Sequence, residues 1–146
     1  MRRGTSLRTF RAPALALVSA LGCGVATAEV VAVVSARNPV TTLSGSQIAD
    51  IFLGKSARFP DGSAAVPIDQ AEGSAPREAF YIEFAGKTPA QLNAHWSKII
   101  FTGRGQAPAE MASGAEVRKR VAENPRAIGY LDRSSVDSGL KVLAVP

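Results

Sequence analysis

The sequence predicts an α/β fold: a single compact domain with a small mixed or mostly parallel sheet and helices packed on it. Three observations carry that expectation. Residues 30–34 read VVAVV, a continuous β-branched run of the kind found in strands covered on both faces. Four segments further along carry helix start signals followed by apolar residues at helical spacing. The strand-like and helix-like segments interleave, which argues for helices packed on a sheet and not for separate α and β regions. A chain of 146 residues, 46% hydrophobic and 20% charged, has the composition of one ordinary globular domain.

The domain is expected to begin at Glu29. Arg2, Arg3, Arg8 and Arg11 form a basic start, residues 12–21 are apolar apart from Pro13 and Ser19, and Ala26-Thr27-Ala28 is a small-x-small cleavage pattern. Residues 1–28 therefore read as a signal peptide cleaved after Ala28, with export to the periplasm. The apolar run is about half of the ~20 residues that a spanning helix needs. Two other readings exist: an uncleaved anchor, and a lipidated Cys23. Ala20-Leu21-Gly22 lacks the large aliphatic residue usual three positions before a lipidated cysteine. Setting the four arginines aside leaves thirteen of the seventeen Lys and Arg against twelve acidic residues. The domain is near neutral, and the sequence pI of 9.9 belongs largely to the leader. That excludes a nucleic-acid footprint.

Within residues 29–146 the first strand ends at Asn38-Pro39, because proline lacks a donor and pushes its predecessor out of the helical region. Ser44 and Gln47 form a capping box, Leu43 and Ile48 occupy the staple positions, and Ile48, Ile51 and Phe52 share one helical face. Gly54 supplies the left-handed stop. Pro60-Asp61-Gly62-Ser63 is a turn, and residues 64–68 form a second strand ending near Asp69. Gly73-Ser74 opens a second helix, with Phe80 and Phe84 one turn apart, and Gly86 ends it. Thr88-Pro89-Ala90-Gln91 opens a third, with the stripe Leu92, Trp96, Ile99 and Ile100, ending at Gly103. Residues 103–108 are a loop. Ser113 caps a fourth helix carrying Val117 and Val121, and Asn124-Pro125 stops it. Residues 127–131 and 140–145 are the last two strands. The helix between the first two strands predicts a right-handed crossover joining parallel neighbours.

The sequence excludes several chemistries. One Cys and one His rule out a disulfide framework and multi-ligand zinc or iron–sulfur sites. No HExxH, nucleophile elbow or P-loop occurs, and Gly103-Arg104-Gly105 follows a helix where a dinucleotide fingerprint follows a strand. No metal, no cofactor and no enzymatic activity are expected. Asp69 and Glu72 are two acids in one loop, a commonplace pattern. His95 reads as a partly exposed helix residue and Trp96 as a core anchor. The remaining candidate is anion binding. Gly73-Ser74-Ala75 lies between a strand end and a helix start, where free N–H groups and the helix dipole favour an anion, and Arg77 in the first turn supplies charge. Ser74 could equally serve only as a cap. Thr41, Thr42 and Arg104 are remoter candidates, read first as turn and solvated residues.

Three stretches resemble the phosphate ABC transporter substrate-binding proteins of the type 2 periplasmic binding fold: residues 43–55 (LSGSQIADIFLGK), 68–80 (IDQAEGSAPREAF) and 124–131 (NPRAIGYL). The resemblance implies a secreted solute-binding module, and the chain's length allows one lobe of that fold; the expected ligand is phosphate or a similar small oxyanion, bound weakly, with Gly73, Ser74 and Ala75 as the helix-start nest and Gln70 and Arg77 as side-chain contacts. It also implies an inner-membrane transporter as partner, and a sensor is the further partner that the adaptor alternative below allows. The family's loop reads Arg-x-x-x-Ser-Gly-Thr in outline. Here Gln70 stands at the arginine position, Ser74 at the serine, and Ala75 and Pro76 at the glycine and threonine. The alternative is a periplasmic adaptor that kept the fold and lost the ligand.

Overall fold

The computed structural model describes residues 29–146. The leader reading of residues 1–28, with its alternatives at Cys23, lies outside the described residues. In chain order the elements are β1 (Val30–Ser35), α1 (Gly45–Phe52), β2 (Val66–Gln70), α2 (Ala75–Phe80), a π-helical turn (Tyr81–Ala85), α3 (Pro89–Phe101), β3 (Ala109–Met111), α4 (Gly114–Glu123), β4 (Ala127–Asp132), a short 3-10 turn (Arg133–Ser135) and β5 (Leu140–Val142).

The five strands form one mixed sheet in the order β3-β2-β4-β1-β5. β1 pairs antiparallel with β4, Val31 opposite Leu131, and antiparallel with β5, Val33 opposite Val142. β2 runs parallel to β4 on one side and to β3 on the other. β1 and β2 therefore run in opposite directions with β4 between them, and the expected crossover between parallel neighbours is not formed. The parallel expectation rests on the helix between the two strands, and a run covered on both faces, as VVAVV is, is usual in parallel sheets. What the run reports is the covering, not the direction.

The covering is real. Val30, Ala32 and Val34 face a core shared with α1, α2 and α3; Val31 and Val33 face a second core under α4. The molecule is thus three layers, with α1–α3 on one face and α4 on the other. Phe52, Phe80, Tyr81 and Tyr130 pack edge to face in the first core, and Phe80 stacks on Tyr130 with ring centroids 4.1 Å apart. In the second core α4 sits so close to β4 that a Cβ at Gly129 would lie 2.9 Å from Val117 Cγ1 and 3.0 Å from Val121 Cγ2.

The helix starts follow the sequence. Ser44 with Gln47 and Thr88 with Gln91 form complete capping boxes. Ser113 accepts from the Glu116 N–H, and the Glu116 carboxylate accepts from the Ala112 N–H instead of closing the box. Gly54 sits at φ 74° beneath Trp96, and a Cβ there would lie 2.9 Å from Trp96 Cη2. Trp96 is 7% exposed, in the core as expected. His95 is half-buried, its Nε2 2.8 Å from the Leu53 carbonyl.

Five further expectations differ. β2 starts and ends two residues later than predicted, and β5 stops at Val142. β3 forms inside what carried no strand signal. The second helix widens into the π turn at Tyr81 before Gly86 ends it at φ 62°. Ile100 is 56% exposed and does not belong to the buried stripe, which on α3 consists of Leu92 and Trp96 with Ile99 partly buried.

Candidate functional site

The loop after β2 carries the sequence-predicted site. The chain turns at Ala71–Ser74, where the Ser74 N–H donates to the Ala71 carbonyl at 3.1 Å. Gly73, at φ 86°, takes the left-handed conformation that favours glycine. Gly73 and Ala75 are exposed and Ser74 is half-buried.

Ser74 is the N-cap of α2, but its side chain makes no capping bond. Pro76, two residues on, has no N–H, so one of the two donors an N-cap hydroxyl normally reaches is absent. Ser74 Oγ is buried and has no hydrogen-bond partner among the described residues.

The other predicted residues are engaged from within. Gln70 Nε2 donates to the Tyr130 carbonyl on β4 at 2.9 Å. Arg77 is 8% exposed. Its Nη1 donates to the Gln70 carbonyl at 3.1 Å and to Glu110 Oε1 on β3 at 2.6 Å. Its Nε lies 4.0 Å from Asp69 Oδ1, and its guanidinium sits 5.8 Å from the centre of the Tyr81 ring.

Asp69, at the buried end of β2, organises the rest. Its Oδ1 accepts from the Gln70 N–H at 2.8 Å and from the Tyr130 hydroxyl; its Oδ2 accepts from the Tyr81 hydroxyl at 2.6 Å. Burial raises the Asp69 carboxyl above its ordinary value, opposed by the two tyrosine donors and by Arg77. Both tyrosine hydroxyls are raised well above theirs, by burial first and then by the Asp69 charge. Burial works against the Arg77 cation, but Asp69 and Glu110 hold its pKa above the ordinary arginine value.

The structure thus brings Gln70, Gly73, Ser74, Ala75 and Arg77 into one loop and adds four residues that the sequence reading had not assigned to it: Asp69 as a structural carboxylate, Tyr81, Tyr130 and Glu110. A buried tyrosine needs a hydroxyl partner, so a tyrosine inside the apolar strand AIGYL was the available signal. Glu110 lies on a strand with no sequence signal. Thr41 and Thr42 lie elsewhere, tied to the C-terminal segment through Ala144. Arg104 follows α3.

A cavity of about 20 Å³, room for one water-sized sphere, lies beside the loop between Glu72, Gly73, Arg77, Tyr81, Lys87 and Asn93. Glu72 on its rim accepts from Asn93 Nδ2 at 3.0 Å. Among the described residues no cluster of His, Cys, Asp and Glu has metal-holding geometry, and no helix is long and apolar enough to cross a membrane.

Several solved structures share this architecture. A protein from Clostridium perfringens, described as a phosphate ABC transporter substrate-binding protein with bound phosphate, matches with a TM-score of 0.62 and 26% identity. An ABC-type phosphate transport receptor from Vibrio cholerae matches at 0.63 and 18% identity, and PstS from Borrelia burgdorferi at 0.60 and 17%. Each match covers 80% of this chain but only 44%, 45% and 46% of those chains, respectively. No family model and no curated protein matches the sequence. The chain therefore has the periplasmic-binding-protein-like fold of phosphate ABC transporter substrate-binding proteins, matched over a single lobe and less than half of their length.

Proposed function

We propose that this chain is an exported solute-binding module, released from its leader after Ala28, that takes phosphate or a similar small oxyanion weakly at the loop between β2 and α2. The observation that carries this reading is the Ser74 hydroxyl, buried and without a partner, in a fold shared with a protein that holds phosphate. In this reading Ser74 donates to the anion, Gly73 and Ala75 allow close approach, and Arg77 supplies charge. Gln70 acts indirectly, through its carbonyl on Arg77.

The weakness has a cause. Glu110 already occupies Arg77 Nη1, with its own side chain 48% exposed. An incoming anion competes with that carboxylate and is repelled by it. Calorimetric titration with phosphate and sulfate tests the reading. Affinity in the high-micromolar range or weaker is expected, as an order of magnitude. Ser74→Ala should weaken binding about tenfold, the value of one hydrogen bond to a charged group. Glu110→Gln should strengthen it.

A second reading is favoured by one observation: apart from Ser74, the buried polar side chains of this loop are already satisfied internally. In that reading the chain is an adaptor that contacts an inner-membrane transporter or sensor and binds no solute. Absence of heat at millimolar anion in wild type, Ser74→Ala and Glu110→Gln alike would put the adaptor reading first.

A further inference from the structure

The C-terminal end of α3 presents apolar side chains to solvent on a rigid base. Phe101 is 91% exposed and its neighbour Ile100 56% exposed, and residues 100–107 are exposed without interruption. This is not a frayed end. The Gly103 N–H donates to the Ile100 carbonyl and the Arg104 N–H to the Ile99 carbonyl, with Gly103 at φ 69°, the paired bonds of a Schellman stop. Thr102 Oγ1 closes the same turn by donating to the Lys98 and Ile99 carbonyls. The tip therefore holds Phe101 out in a fixed position.

Its charge is one-sided. Between Glu83 and Glu110 the sequence has no acidic residue, while Lys87, Lys98 and Arg104 are cationic. Lys98 lies three residues before Phe101, on the same helical face. Neither Lys98 nor Arg104 makes an ion pair among the described residues. The groove beside residues 106–109 is lined by Ile51, Val66, Pro67 and Trp96, with no charged residue.

We propose that this tip docks on an anionic lipid bilayer, with Phe101 and Ile100 entering the headgroup boundary and Lys98 and Arg104 pairing with lipid phosphates. Two arguments select a bilayer as the occupant. The charge complements an anionic surface, which attracts each nearby cation separately. The apolar footprint is two side chains on a projecting turn, far below the ~800 Å² per partner that a stable protein interface buries, whereas a short apolar projection with basic neighbours suits the water–lipid boundary. This surface is separate from the β2–α2 loop, and the inference does not depend on an oxyanion being bound there.

Cosedimentation of the released chain, residues 29–146 without the basic and apolar leader, tests it with vesicles of phosphatidylcholine alone and of phosphatidylcholine mixed with phosphatidylglycerol. The chain should pellet with the mixed vesicles and not with the neutral ones, and added salt should release it. Phe101→Ser should lower partitioning about tenfold, and Lys98→Glu should lower it as well. Phe101 is exposed, so circular dichroism should be unchanged in Phe101→Ser; Lys98→Glu reads the tip independently. Failure to pellet with anionic vesicles, equal pelleting with neutral ones, or binding that both variants leave unchanged would overturn the proposal. The last outcome would place the membrane contact on another segment of the chain.

Discussion

Two helix starts in this molecule obey opposite rules. At the start of α1, Ser44 and Gln47 satisfy each other's backbone N–H groups within four residues of sequence. At the start of α2, the Ser74 hydroxyl has no partner among the described residues, and the side chains around it are held by residues far away: Asp69 by Tyr130, 61 positions on, and Arg77 by Glu110, 33 positions on. The first helix start is set locally. The second is placed by the completed sheet, and it is the one that adjoins the candidate site. The difference teaches that a helix start can hold its polar side chains without a side-chain cap, provided that the tertiary fold delivers their partners.

The comparison breaks most sharply at Arg77. Arg77→Ala leaves Asp69 buried without its nearest cation, and truncating one partner of a buried ion pair typically costs about 3–5 kcal/mol. A urea titration showing a loss below about 1 kcal/mol would mean that water or a shifted lysine replaces the guanidinium. Tyr130→Phe and Tyr81→Phe each remove one hydroxyl from Asp69 and should cost about 1–3 kcal/mol.

The pH dependence follows from Asp69. Its folded carboxyl is raised above the ordinary 3.8, so the folded chain holds that proton to higher pH than the unfolded chain does. The contribution is fully present below the unfolded value and is lost as pH rises through the folded one. The stability of wild type relative to Asp69→Asn should therefore fall as pH is raised from about 4 toward neutrality. Thermal melts of the two proteins across that range check the sign, and a difference rising with pH would contradict it.

The smallest effects sharpen the comparison itself. Ser44→Ala should cost about 1 kcal/mol, the ordinary value of an N-cap. Ser74→Ala should change stability by less than about 0.5 kcal/mol, because no bond is lost. Combined with a loss of anion binding, that near-zero change would separate a ligand contact from a cap. Equal stability losses at Ser44 and Ser74 would show that the two starts do not differ.

What the sequence makes legible here is what it encodes locally. The capping boxes need only positions three apart, and Ser44/Gln47 and Thr88/Gln91 are both formed. The two-face burial of residues 30–34 is legible because it is written in consecutive residues. Strand direction is not: β1 meets its partner as Val30 opposite Asp132, and no short-range pattern specifies that pairing. β3 is three residues long, has no β-branched residue, and exists because β2 offers it an edge. The glycine, serine and arginine that mark the candidate loop are consecutive enough to be read from the sequence, and the structure puts them between β2 and the first turn of α2. The occupancy of Arg77 was hidden, because it depends on Glu110 arriving from that unsignalled strand.

Gly129 gives the NPRAIGYL stretch another meaning. Its missing side chain is where the Val117 and Val121 methyls sit, so the glycine fixes the spacing between α4 and the sheet. One of the three stretches that resemble phosphate-binding proteins is, at this position, a mark of architecture. Substitution at Gly129 is opposed by sterics whatever this fold carries, so the residue reports the packing of α4 and not the cargo. A search on this stretch would then gather proteins by how they are built, and the cargo of each would have to be read at the β2–α2 loop.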